Sequence, residues 1–176
     1  MMIALDDIAH HLSMICHWNG ACKKFFSVAQ HSLIVSKICP QHLQKWALMH
    51  DAAEAYVGDV SRPLKSILSS EHVDAPYNYK NLEMKILRLV AEEFGLEWPM
   101  PAELKVYDNQ ALELERIYLM HPSTQLHDGN GHGVSYNIDG VEKKVPPSYI
   151  VPMLPEIAEL AFMSRYRKLF LDEDGL

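Results

Sequence analysis

A chain of 176 residues, 48% of them hydrophobic, can bury one core, which excludes a disordered chain and fits a single domain. A formal charge of −7 without a basic block argues against a nucleic-acid polymer as partner, and no apolar run approaches the ~20 residues of a membrane span. Three unpatterned cysteines (Cys16, Cys22, Cys39) and an acidic start, Asp6-Asp7, where a signal peptide is basic, predict a cytoplasmic protein with reduced thiols.

In chain order, Leu5, Ile8, Ala9, Leu12 and Ile15 recur at helical spacing and predict a helix over 5–17, with Asp6 or Asp7 near its cap. His17-Trp18-Asn19-Gly20 breaks the period and reads as a loop. Ser27-Val28-Ala29-Gln30 has the form of a capping box opening a helix that carries His31, Leu33, Ile34, Val35 and Ile38. Cys39-Pro40 ends it. A central helix is expected from Pro40 or Gln41 to Tyr56, stopped by Gly58, and Asp59 to Lys65 reads as a turn and a short helical start. Pro76 to Phe94 is strongly periodic, with Leu82, Ile86, Leu89, Val90 and Phe94 expected to face inward. Ala102 to Met120 follows, carrying Leu104, Asp108, Ala111, Leu112, Leu114 and Ile117. Residues 122–133 read as loop, and Val134 to Val145 as a hairpin turning at Asp139-Gly140. A final amphipathic helix is expected over Glu156 to Phe170. The class is all-α, a compact helical bundle with one small β-hairpin near 134–145, in one domain spanning 1–176 with 122–150 as an insertion.

The chemistry concentrates at Met49-His50-Asp51-Ala52-Ala53-Glu54-Ala55-Tyr56. His50 and Asp51 are adjacent potential metal ligands, and Glu54 follows His50 at i+4, on the same helical face. Trp46, Ala47, Leu48 and Met49 before them imply burial. A buried histidine with two carboxylates is costly unless its charges are neutralised, and a bound cation does that most directly. His31 and Asp108 are the further candidates on apolar helical faces, although a lone one of either is more often structural. Together the four make a mixed nitrogen and oxygen set, better suited to Zn, Mn, Co, Fe or Ni than to an oxygen-only Mg or Ca site. His127-Asp128 repeats the pair literally, near His121 and His132, but in a glycine-rich loop with no helix to align it. Cys16, His17 and Cys22 lack the paired spacing of a zinc site and read as packing.

His31, then His50-Asp51, then Asp108 along a helical chain resembles the signature of HD-domain metal-dependent phosphohydrolases. The stretches Phe25 to Ser32 and Leu48 to Lys65 are similar to the small bacterial and phage subfamily of 5′-deoxynucleotidases and dATP triphosphohydrolases. The likeness runs from about Asp7 to Gly95 and resumes at Asp108 and over Pro155 to Phe170, leaving 122–150 outside it.

The resemblance implies that His31, His50, Asp51 and Asp108 hold a divalent Zn, Co or Mn ion. Glu54 would then position or deprotonate a water, or protonate a leaving oxygen. Asp59 would bind a second ion, Mg or Mn near Glu54, or a sugar hydroxyl; otherwise it is a turn residue after Gly58. Lys65, Arg62 and Lys80 are the candidate cations for phosphoryl oxygens. Trp18 matches a base-stacking position, with Pro63 as the opposing wall. His17 stands where relatives usually carry arginine, and a histidine lacks both the fork and the permanent charge of that residue. The implied activity is hydrolysis of deoxynucleoside 5′-phosphates in the cytoplasm of a bacterium or phage-infected cell. A dATP triphosphohydrolase is the leading form and a 5′-deoxynucleotidase the alternative. The implied partners are a small deoxynucleotide and further copies of the chain in a homo-oligomer, without nucleic acid or membrane. A metal-stabilised nucleotide-binding protein without turnover is the reading from another class.

Overall fold

The computed structural model describes residues 3–74, 78–120, 135–138, 141–144 and 150–171. In order come α1 (Leu5–Met14), α2 (Val28–Ile38), α3 (Gln44–Met49), α4 (Glu54–Val57), α5 (Arg62–Leu68), α6 (Tyr79–Phe94), α7 (Leu104–Leu119) and α8 (Pro155–Phe170). Ser27 starts the helix on which α1, α3, α7 and α8 are packed: its Oγ accepts the Gln30 backbone N–H at 3.2 Å. The reciprocal half of the expected capping box is not made. The Gln30 side chain instead donates to Val151 O at 2.5 Å and accepts from Met153 N at 3.0 Å. Every residue of α2 except Lys37 is buried, and α1, α3, α7 and α8 all pack against it.

The continuous helix expected up to Tyr56 is interrupted. Gln41–Leu43 is a 3-10 turn, α3 ends at Met49, and His50 to Ala53 tightens before α4 resumes. Ala52 N bonds Met49 O at 3.0 Å and Glu54 N bonds Asp51 O at 2.9 Å, both at i to i−3. At three residues per turn, positions three apart eclipse, so Asp51 and Glu54 share a face more closely than His50 and Glu54 do. Gly58, at φ 78°, ends the run as expected.

Two inward faces differ from expectation. α1 stops at Met14 because Ile15 is extended and the next residue, Cys16, bridges Ser27. α6 buries Tyr79, Ile86, Leu87, Val90 and Ala91, whereas Leu82 and Leu89 are exposed. The stripe is rotated toward Leu87 and Ala91, since the periodic pattern marks which residues are apolar and not which side has a neighbour.

The architecture is all-α. Ser135–Ile138 and Val141–Lys144 pair antiparallel, while the expected Asp139-Gly140 turn lies outside the described residues. The two four-residue strands pair only with each other, so the hairpin adds no sheet layer and is not borne out as part of the all-α fold. Among the described residues no helix is long and apolar enough to cross a membrane.

α8 docks on α1, α2 and α3 through Ala158 and Phe162, its two buried residues. Replacing Phe162 by Ala is expected to remove about 3–5 kcal/mol of stability, read as a lower urea midpoint. An unchanged midpoint would show that α8 is not part of the core.

Candidate metal centre and its cavity

α2, the tightened turn before α4, and α7 bring His31, His50, Asp51 and Asp108 to one point. His31 Nε2 lies 3.2 Å from Asp108 Oδ1 and 3.6 Å from Asp51 Oδ2. His50 Nε2 lies 3.1 Å from Asp51 Oδ2 and 4.0 Å from Asp108 Oδ1. Tetrahedral bonds of about 2.0–2.1 Å would place ligand atoms about 3.3 Å apart, so the spacing fits one ion. Among the described residues, His31, His50 and Asp51 form one compact grouping able to hold a metal, and His17, His31 and Glu115 form another.

The tautomers agree. His50 Nδ1 lies 2.9 Å from the Ala47 carbonyl oxygen, which can only accept, so Nδ1 carries the hydrogen and Nε2 faces the cluster with a lone pair. That Nε2 is buried without a hydrogen-bond partner, an orphan that a cation satisfies. His31 Nδ1 lies 2.7 Å from Glu115 Oε1, which likewise turns His31 Nε2 toward the cluster. Two neutral imidazoles and two carboxylates around a divalent ion sum to zero charge, which suits a buried position.

His31, Asp51 and Asp108 of this cluster line a cavity of about 560 Å³, with His50 just behind them. Its walls include Glu54, Asp59, His17, Trp18, Arg62, Pro63 and Lys65, so these residues meet as expected. Lys80 does not: it is exposed in the first turn of α6, away from the cavity. Lys65 lines the wall but is held by Glu83 Oε1 at 2.7 Å and sits over the Tyr79 ring. Arg62 reaches Asn109 Oδ1 at 3.5 Å. His127-Asp128 lies outside the described residues.

Glu54 is buried and its Oε2 has no hydrogen-bond partner. Burial, and then the charges of Asp51 and Asp59, push its carboxyl up to about 10, against the pull of Lys65 and His31. It therefore keeps a proton near neutrality, and a nearby cation would lower its affinity for that proton.

His17 departs from expectation. Burial opposes its charge, yet its Nδ1 is 3.1 Å from Asp59 Oδ2 and its Nε2 is 3.3 Å from Glu115 Oε2, and these carboxylates raise its pKa above the usual value. Both ring nitrogens thus face acids, Asp59 on one side and Glu115 on the other. Trp18 and Asn19 adopt left-handed backbone, at φ 58° and 49°. For a bulky residue this costs about 1–2 kcal/mol. The turn aims the Trp18 indole inward, where Nε1 donates to Glu115 Oε2 at 2.8 Å.

Three residues escaped the sequence reading. Glu115 is wholly buried, two helical turns after Asp108 on the same face of α7; its place in an apolar stripe was the signal. Burial opposes its ionisation, but His31 and His17 hold the carboxyl down to about 2. Lys105, one turn before Asp108, reaches Asp108 Oδ2 and lines the cavity. Arg116 lines it too, forked onto Glu113 at 2.6 and 2.8 Å.

No protein-family model matches the chain. It is similar to YfdR of Escherichia coli strain K12, a protein of uncharacterized function, with 36% identity over 167 residues covering 95% of this chain and 84% of the relative. It is also similar to an uncharacterized protein of Rhodobacter capsulatus, with 33% identity over 114 residues, 60% of this chain and 55% of that one.

In protein stripped of metal, Asp108 and Glu115 raise the pKa of His31 well above 6.5 despite burial, and His17 is also raised. A raised folded-state pKa contributes stability that is full below pH 6.5 and lost as pH rises through the folded values. A metal competes for the same nitrogen, so its affinity changes with the opposite sign. Melting temperature of the stripped protein is expected to fall from pH 6.5 upward while zinc affinity rises; parallel trends would sink the assignment of His31.

Proposed function

The chain belongs to the family that includes YfdR of Escherichia coli, and for it we propose metal-dependent hydrolysis of deoxynucleoside 5′-phosphates by an HD-type site. The observation that carries this reading is the orphaned His50 Nε2 facing His31, Asp51 and Asp108, with the buried Glu54 carboxyl opening on the same cavity. A divalent Zn, Co or Mn ion held there would supply a Lewis acid for phosphoryl oxygens and acidify water at the floor.

The chain's own residues have separable parts in the reaction. Glu54 Oε2 holds a proton that can pass to a leaving oxygen, or takes one from water once a cation has lowered its pKa. Lys105, against Asp108 Oδ2, is the ammonium nearest the ligand set and faces the charge that develops on the transferred phosphoryl group. Trp18 and Pro63 give the mouth flat apolar walls suited to a base, and Asp59 stands ready for a sugar hydroxyl or a second cation such as Mg or Mn.

Within this class the preferred form is a triphosphohydrolase acting on dATP, which uses Arg62 and Lys105 along a longer phosphate chain. The 5′-deoxynucleotidase reading draws on a different observation: Lys65 is held by Glu83 and Arg116 by Glu113, which leaves less positive charge for extra phosphates.

Phosphorus NMR on the four deoxynucleotides, as mono- and triphosphates with Mn or Co, tests both. Tripolyphosphate is expected from dATP; orthophosphate from the monophosphates establishes the alternative, and no product from either overturns the activity. Glu54→Gln is expected to lower turnover by about 10²–10⁴-fold with metal content unchanged. Asp108→Ala should empty the site of metal, and full occupancy in that variant would remove Asp108 from the ligand set.

A further inference from the structure

Glu115 has no exposed surface and lies behind His31 rather than on the cavity wall. Its two oxygens serve different parts of the site. Oε1 is 2.7 Å from His31 Nδ1, while Oε2 accepts from Trp18 Nε1 at 2.8 Å and stands 3.3 Å from His17 Nε2. A carboxylate only accepts hydrogen bonds, so one group orients a metal ligand and an aromatic wall at once.

We propose that Glu115 is a positioning residue that couples occupation of the metal centre to the seating of the Trp18 wall. Ligation draws the His31 ring toward the ion, and the carboxylate bonded to its far nitrogen moves with it. Because the same rigid group holds the indole N–H, the left-handed turn at Trp18 and Asn19 follows. Coupling of this kind is reciprocal: a flat ring settled on Trp18 favours the ion, and the ion favours the ring. The inference rests on the metal part of the function proposed above and not on its phosphate chemistry.

Zinc alone is the probe. Wild type, Glu115→Gln and Trp18→Phe are titrated against a chromophoric chelator while indole emission is followed, with Trp18→Phe subtracting Trp46 and Trp98. Glutamine offers one acceptor and one donor and cannot serve both His31 and Trp18. Glu115→Gln is therefore expected to bind zinc about 10–100-fold more weakly, the usual effect of losing the group that orients a ligating histidine. Its Trp18 emission should also stop responding to zinc.

Zinc affinity in that variant within about twofold of wild type, against the 10–100-fold expectation, would overturn the role. Should the variant fail to fold, wild type and Trp18→Phe still decide: a zinc-dependent emission change lost in Trp18→Phe supports the coupling, and an unresponsive Trp18 overturns it. Wild type that binds no zinc removes both this linkage and the metal centre. Wild type that binds zinc with the expected coupling but hydrolyses no nucleotide removes only the phosphohydrolase reading.

Discussion

His31 sits wholly inside the helical core with both ring nitrogens engaged, one by Glu115 and the other by the facing aspartates. A buried imidazole is tolerable only when its polar atoms are satisfied, and here the satisfaction is directional. The acid behind the ring and the acids in front make opposite demands on its proton. A cation at the front would resolve the conflict, leaving the hydrogen on Nδ1 and the lone pair on Nε2. The rest of the site can be understood as the framework that keeps this ring where that choice is forced.

That framework is the pairing of α2 with α7. α2 is buried along nearly its whole length, so His31 has no freedom to turn toward water. α7 places Asp108 and Glu115 on the same face, two turns apart, on either side of the imidazole. The tightened turn at His50 to Ala53 completes the ring of ligands from a third direction. Its bonding pattern gives Asp51 and Glu54 a common face, which puts the carboxyl with the raised pKa beside the ligand set.

Much of this was legible in the sequence because each ligand interrupts an apolar helical stripe, and such interruptions need a reason. The all-α class and the ends at Ser27 and Gly58 follow from local pattern, while the meeting of His31, His50, Asp51 and Asp108 was expected from the resemblance. What could not be read was anything set by distant partners. Glu115 meets His31 across 84 positions and Trp18 across 97, so its role has no local signature beyond an acid on an inward face. Lys80 was a candidate cation for phosphoryl oxygens, with a solvated surface charge the stronger reading, and the direction in which α6 packs leaves it in solvent. The partners of His17 were hidden for the same reason: Asp59 lies 42 positions away, and Glu115 comes from α7.

The pair of hydrogen bonds by which Gln30 donates to Val151 O and accepts from Met153 N has a wider consequence. On the other side of residues 121–149, Met120 bridges Cys22 and Leu119 O accepts the Lys23 N–H at 2.9 Å. The chain is thus anchored to the bundle immediately before and after that stretch, one anchor being the neighbour of His31. Changes in length between the two anchors are mechanically insulated from the ligands, since neither end need shift.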